Sequence, residues 1–521
     1  MSIGRTIQSA IRNYQTGNFR EAESLFTRVL KADPGNYQAL LFLGILHYQS
    51  GEFDRAVHFL RQAAKSNPSD PYVWNNLGTV LKETGQFDES ISCYQKALRL
   101  NPGMDQVYSN LGSALQAKGT LDAAIDCYQK ALHLNPGLAD AYYNLGTALM
   151  KKGEPDAAES CLNNAIRLNP NFTESYINLG AISEGKKLLK EAILYYQKAL
   201  QINPSSAEAH FVLACALMLD GNLDEGWKHY EWRWELKDFP GYNIPYPLWD
   251  GVFIPGKTIL LHTEQGFGDA IQFIRYAPLV AEKGMKVIVQ CQKELATLFE
   301  KVNGISSIIT DGDTIPEVDF HCPLISLPLI FSTKVATIPA KFPYLTVEQQ
   351  LIDIWKEKIH KTTSRLRIGL VWAGKTSHKR DNLRSFPPDL FTPLLELQDI
   401  SLYSLQVGSE SYDEQKQNKK LALIDYTREI RDFLDTAAIM ENLDLVISAD
   451  TAAAHLAGAL GKPVWLLLPF VPDWRWMLDR EDSPWYPTMR LFRQTEPGDW
   501  EGIIHRVIKE LQNLPGKQSF R

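Results

Sequence analysis

"NLGTVLKETGQFDESISCYQKALRLNP", Asn76 to Pro102, decides how the first half of the chain is read. Its closing proline recurs every 34 residues, at Pro34, Pro68, Pro102, Pro136, Pro170 and Pro204. Its Leu-Gly pair keeps the same register, at Leu43-Gly44, Leu77-Gly78, Leu111-Gly112, Leu145-Gly146 and Leu179-Gly180. Small residues follow at Ala56, Ser90, Ala124, Ala158 and Ala192, then at Ala63, Ala97, Ala131, Ala165 and Ala199. Aromatics fill Trp74, Tyr108, Tyr142 and Tyr176, and again Tyr94, Tyr128 and Tyr196. A fixed period of this length marks stacked units, each too small to bury its own apolar face.

The pattern is that of tetratricopeptide repeats, one helix pair per period, over roughly residues 3 to 236. Glycine on the first helix and alanine on the second permit close approach. The aromatics fill the volume around them, and proline ends the second helix. A seventh unit begins near Ala207 but fades. Gly226 and Tyr230 hold register, and then Arg233 stands where the earlier units have alanine. "GWKHYEWRWEL" (Gly226 to Leu236) reads as the helix that ends an α-solenoid spanning residues 1–238.

One polar position also repeats, at Asn76, Asn110, Asn144 and Asn178. On successive first helices these amides form a row, and an amide both donates and accepts hydrogen bonds. The array resembles that of O-GlcNAc transferase, whose asparagine ladder holds acceptor polypeptides. The resemblance implies acceptor binding in the groove, while the residues alone are equally consistent with a solubilising surface.

Bulk composition bounds the rest. With 521 residues the chain exceeds a single core, so two to four domains are expected. Hydrophobic residues make up 45% and charged residues 22%, the balance of an ordinary globular protein. A net charge of −7 argues against non-specific nucleic-acid binding. The N-terminus lacks a signal-peptide apolar stretch, and no apolar run has the length of a membrane span. Three of the six cysteines, Cys93, Cys127 and Cys161, share the repeat spacing, and no CxxC pair occurs. A reducing cytoplasm is the expected location. The oligomeric state is left open.

"FPGYNIPYPLWDGVFIPG" (Phe239 to Gly256) carries four prolines and no helical period, so residues 239–256 read as a linker. Beyond it, short β-rich runs alternate with helical patterns, the signature of parallel sheets covered by helices. A first Rossmann-like lobe is expected over 257–345, with strands beginning at Thr258, Lys286 and Ser306. A second is expected over 346–521, with strands beginning near Arg367, Ser401, Leu443 and Pro463. The last helical stretch, Trp500 to Leu511, is expected to cross back to the first lobe.

Three segments fall at expected strand C-termini, where open α/β sheets bind ligands. In "HTEQGFGDAIQF" (His262 to Phe273), Gly266 and Gly268 permit a tight turn before a helix start. Ile271 stands where a dinucleotide fingerprint needs its third glycine, which excludes that motif. Asp269 is either the cap of the following helix or a general base, with Glu264 as the rival base. In "WAGKTSHKRDNLRSFPPDLF" (Trp372 to Phe391), Lys375, His378, Lys379, Arg380 and Arg384 gather after a strand. They suit a pyrophosphate, or they form a solvated basic loop. In "SADTAAAHLAGALGKPVW" (Ser448 to Trp465), Asp450 and Thr451 end a strand. Small Ala452 and Ala453 there expose backbone N–H groups, and His455 lies in the first turn.

"DTAAAHLAGALGKPV" resembles the D-[ST]-G-x-x-H-L-A-x-A-L-G-x-P signature of the ADP-heptose:lipopolysaccharide heptosyltransferase family. "GFGD" is similar to that family's N-terminal loop. The repeats, followed by "EQGFGDAIQFIRYAP", "VWAGK" and "DWRWMLDREDSPWYP", look like bacterial tetratricopeptide proteins with a heptosyltransferase-like module. The resemblance implies a GT-B glycosyltransferase that inverts a nucleoside-diphosphate sugar without a metal or other cofactor. It implies Asp269 as general base, and Asp450, Thr451 and His455 at the donor sugar and phosphates. It implies Arg384, or Lys375, at the leaving pyrophosphate. Ala452 departs from the glycine usual in that signature. Such transfer develops negative charge on the diphosphate, which cations and helix N–H groups stabilise. Polypeptide, saccharide and lipopolysaccharide acceptors remain open, as does a binding-only scaffold. Trp474, Trp476, Trp485 and Tyr486 with Arg475 either stack on a base or sugar, or close the domain edge.

Overall fold

The computed structural model describes residues 2–239, 241, 244–361, 364, 366–375, 381–407, 421 and 423–513. The chain divides into two compact units, Met1–Lys186 with Leu194–Pro204, and Lys187–Ile193 with Ser205–Arg521.

Seven helix pairs occupy the repeat region. They are α1 (Ile3–Gln15) and α2 (Phe19–Ala32), α3 (Tyr37–Gln49) and α4 (Phe53–Ser66), α5 (Pro71–Glu83) and α6 (Phe87–Leu100), and α7 (Asp105–Ala117) and α8 (Leu121–Leu134). There follow α9 (Ala139–Lys152) and α10 (Pro155–Leu168), α11 (Thr173–Gly185) and α12 (Leu189–Ile202), and α13 (Ala207–Leu219) and α14 (Leu223–Tyr230). The turn inside a pair uses a left-handed glycine, as at Gly85 (φ 75°) and Gly119 (φ 88°), which costs glycine little. Lys187 takes the same turn position with φ 59°.

The repeated glycine of each first helix lies directly against the second. A Cβ at Gly112 would stand 2.7 Å from Tyr128 Cε1, and one at Gly44 would stand 2.5 Å from Leu60 Cγ. Ala124 and Ala131 beside Tyr128 are fully buried, so the residues that set the period are those that set the helix spacing. Where the small residue is Ser90, its hydroxyl donates to the Gly78 carbonyl at 2.6 Å. Gly112→Ala is expected to destabilise the array by about 1–3 kcal/mol through overpacking against Tyr128. Denaturant titration reads this as a lower midpoint.

The seventh pair belongs to the second compact unit. The expected terminating helix ends at Tyr230 and tightens into a 3-10 turn, Glu231–Glu235.

Two parallel sheets follow. The first has strand order β3-β2-β1-β4, from β1 (Thr258–His262), β2 (Lys286–Cys291), β3 (Ile305–Thr310) and β4 (Phe320–Pro323). The second has order β10-β9-β8-β5-β6-β7. Its strands are β5 (Leu366–Val371), β6 (Ile400–Ser404), β7 (Ile424–Asp425), β8 (Leu445–Ala449), β9 (Val464–Leu468) and β10 (Met489–Arg493). Burial of every residue of β8 and β9 explains their unbroken apolar runs. Sequence reading passed over β4, β7 and β10, which are short or lie at the edge of a sheet.

Two expectations change. The helix Trp500–Gln512 does not cross to the first sheet. Trp500, Ile503, Ile504, Val507 and Leu511 join the core of the second, with Trp372, Phe391 and Trp465. Its apolar stripe is satisfied next to β10, which had not been foreseen as a strand. Part of the supposed linker is docked: Trp249 is buried and its N–H donates to the His321 carbonyl at 2.8 Å.

Candidate functional site

Every strand in these sheets runs parallel to its neighbours, so their following loops share one edge of each sheet. Adjacent β5, β8 and β9 therefore bring together the segments after Val371, Ala449 and Leu468. The loop after β1 leads to Gly266 in the same way.

The helix after β1 spans Phe267–Phe273 and its N-cap is Gly266, not Asp269. Asp269 is the third helical residue and reaches back, with Oδ2 accepting from the Gly266 N–H at 3.0 Å. That is the acidic half of a capping box. Its Oδ1 pairs with the Arg475 guanidinium, which arrives from the loop after β9. Gly266 has φ −73°, so no left-handed turn demands glycine there. Gly268 has a different reason: a Cβ would stand 2.9 Å from His455 Cδ2 and 3.7 Å from Ala452 Cα. The helices Phe267–Phe273 and Ala452–Ala459 pack on each other at this point.

Thr451 caps the helix Ala452–Ala459 in extended geometry, so Ala452 begins the helix without left-handed backbone. The glycine of the heptosyltransferase signature is thus not required here for conformation. Thr451, Ala452 and Ala453 are half-buried, and Asp450 and His455 are buried. Arg384, on the short helix Asp381–Arg384, donates to the Asp450 carbonyl at 3.1 Å and to Asp381 at 3.4 Å. A Cβ at Gly374 would lie 2.5 Å from the Arg384 guanidinium, so that glycine leaves room for it. Lys375 is exposed. His378, Lys379 and Arg380 lie outside the described residues.

Charge in the site is dominated by arginine. Arg475 donates to Gln272 Oε1 at 2.7 Å and to Asp473 at 2.8 Å, and its guanidinium stacks 4.2 Å from the Trp474 ring. His455 Nδ1 lies 2.8 Å from the Tyr486 hydroxyl, and its ring is 5.3 Å from that of Trp476. Burial, then Arg475, Arg275 and Arg384, hold its imidazole well below the ordinary histidine range. Burial and the charge of Asp473 push the Asp450 carboxyl up, against the pull of Arg475 and Arg384. Arg275 donates to the carbonyl of Trp485 at 2.9 Å and to the Tyr344 hydroxyl at 3.0 Å. The aromatic segment Trp474–Tyr486 is thus a packed wall, with Trp476, Trp485 and Tyr486 fully buried. The sequence flagged this segment but passed over the role of Arg475 at Asp269.

Glu264 has no exposed side-chain surface and both oxygens are taken by Arg233, at 2.9 and 3.0 Å. Burial pushes its carboxyl up to about 7, against the pull of Arg233. His262 is pushed down to about 3 by burial, then by His321 and Arg233. The signs oppose each other. A buried neutral histidine contributes stability above its unfolded pKa, lost as pH falls below about 6.5. At pH 5.5 His262 contributes about 1.4 kcal/mol less, and His455 shifts stability in the same direction. Glu264 takes up a proton on folding, so its contribution grows as pH falls below about 7. Glu264→Gln removes that offset, and its Tm is expected to fall more steeply than the wild type's from pH 7.5 to 5.5. Equal slopes would mean that Glu264 stays ionised throughout.

In the first compact unit, Asn76, Asn110, Asn144 and Asn178 are all half-buried. Asn110 donates to Asn75 of the preceding repeat at 3.1 Å, and Asn75 donates to Asn76 at 3.5 Å. The amides thus form a chain between two repeats, with Asn75 an unforeseen member. Among the described residues no helix is long and apolar enough to cross a membrane.

Comparison with known proteins matches models described as Tetratricopeptide repeat or TPR repeat to residues 14–77, 71–104, 114–153, 139–172, 173–206 and 195–228. A curated relative, Protein FlbA of Caulobacter vibrioides, is 28% identical over 331 residues, covering 58% of this chain and 55% of its own. The chain thus spans about half the length of that relative. Among solved structures, MamA is 31% identical with TM-score 0.30, covering 33% of this chain and 94% of its own. YrrB, a TPR protein with an unusual peptide-binding site, is 22% identical with TM-score 0.31, covering 36% and 96%. The first ~230 residues are therefore a tetratricopeptide-repeat region, joined to a module built on two parallel sheets.

Proposed function

We propose that the chain is a GT-B glycosyltransferase that takes a nucleoside-diphosphate sugar and inverts it onto a polypeptide held by the repeats. One observation carries this reading: Asp269, the helix start Thr451–Ala453 and Arg384 converge at the carboxyl edges of two parallel sheets. A diphosphate leaving group needs positive charge and N–H donors, and Arg384 with the Ala452–Ala459 helix start offers both. Lys375, exposed in the loop that follows β5, is the reserve cation. Asp269 supplies the base. Its carboxylate is oriented by the Gly266 N–H and by Arg475, and in this reading it takes the proton of the acceptor hydroxyl as that hydroxyl attacks. The asparagine row offers donors and acceptors to an extended acceptor backbone. The reading uses no metal.

A second reading, a scaffold whose module only binds, draws support from the engagement of both Asp269 oxygens. A thermal-shift panel of UDP, GDP, ADP, CMP and dTDP with and without EDTA tests the donor site. A ligand at 100 times its Kd adds about 2.7 kcal/mol of stability. The transferase reading expects one nucleotide to raise Tm in EDTA, with the shift lost in Arg384→Ala. No shift with any nucleotide would remove it.

A further inference from the structure

The position occupied by Ala63, Ala97, Ala131, Ala165 and Ala199 becomes Arg233 in the seventh repeat. Alanine there lets two helices touch. Arginine does something else: it is completely buried and its guanidinium reaches out of the repeat. Two of its donors take both oxygens of Glu264, and others go to Glu231 at 2.7 Å, Ser326 at 2.9 Å and the Tyr230 carbonyl at 3.3 Å. Glu264 lies on the loop between β1 and Asp269. Next to it, Gln265 donates to the Tyr230 hydroxyl at 3.1 Å. From α14, Trp227 packs edge-on against Phe273 at 6.1 Å and against Trp474 at 5.3 Å. Phe273 ends the helix that carries Asp269, and Trp474 precedes the arginine paired with it.

We infer that Arg233 is a positioning residue for the site: the seventh repeat holds both loops whose meeting forms the Asp269–Arg475 pair. An ion pair as deeply buried as Arg233–Glu264 is a weak source of stability, since apolar residues of similar volume do as well or better. What the bidentate pair supplies is orientation. A planar fork fixes the carboxylate plane, and with it the loop entering the Asp269 helix. Lysine keeps the charge but not the fork.

Arg233→Lys tests this with two readouts, of which only the kinetic one rests on the glycosyltransferase reading. Hydrogen exchange on the full chain is expected to quicken at least tenfold in residues 263–270 and 474–476, with the remaining second-unit amides unchanged. Donor turnover is expected to lose at least tenfold in kcat with donor KM within twofold of wild type. Exchange unchanged at 263–270, or quickened throughout the unit, overturns the inference, the latter showing a merely structural role. Wild-type kinetics in the variant overturn it too. If the wild type itself turns over no donor, the transferase reading fails and exchange alone decides the role of Arg233.

Discussion

Arg475→Met is expected to cost about 3 kcal/mol of folding stability, the lower end of the range for breaking a buried ion pair. The guanidinium is the partner of two carboxylates, Asp269 on the helix after β1 and Asp473 on the loop after β9. Methionine fills similar volume but leaves both carboxylates, and Gln272 Oε1, without that donor. Asp473 keeps 35% of its side-chain surface in water, which moderates the loss. Equilibrium denaturation with an unchanged m-value reads the effect. Adding Asp269→Asn to Arg475→Met should restore part of the loss, because the pair is the coupled element. Strict additivity of the two substitutions would show that Asp269 and Arg475 do not interact.

Asp269→Asn alone is expected to lower kcat of transfer by roughly 10²–10⁴-fold, the usual contribution of a positioned proton acceptor. Donor binding should survive, since the Ala452–Ala459 helix start and Arg384 are untouched. The amide also meets two donors with one acceptor oxygen. Either the Gly266 N–H or Arg475 then loses its partner, at a cost of about 1–3 kcal/mol. A thermal-shift titration alongside the kinetics separates these effects. Asp269→Asn with wild-type turnover would return Asp269 to capping alone.

The opening half of the fold was legible because its period is enforced by contact. Gly112 and Tyr128 must face one another for the helices to close, so the spacing in the chain is the spacing in space. The inner strands were legible through their buried runs, whereas β4, β7 and β10 span few residues or lie at an edge. At the site, Gly268, Asp269, Asp450 and His455 were visible as local motifs. Arg475 and Arg233 were not visible in those roles, because each acts on a residue far away in the chain and no local pattern encodes such a pair. The one sequence trace of Arg233 was its break with the repeat, and its partner Glu264 could be read only as a rival base. Capping by Gly266 in place of Asp269 came from the same limitation. A cap and a third-position acid three residues apart look alike until backbone bonds are drawn.

Donor turnover by the full chain in EDTA tests metal-free glycosyl transfer most directly. UDP-, GDP-, ADP- and dTDP-sugars would be offered with and without a random peptide library, and released nucleoside diphosphate measured. Release from one donor class is expected, accelerated by peptide, with a sugar-sized mass gain on the peptide and a loss of roughly 10²–10⁴-fold in Asp269→Asn. No release from any donor, while peptides still bind the repeats, would contradict glycosyl transfer and leave a scaffold.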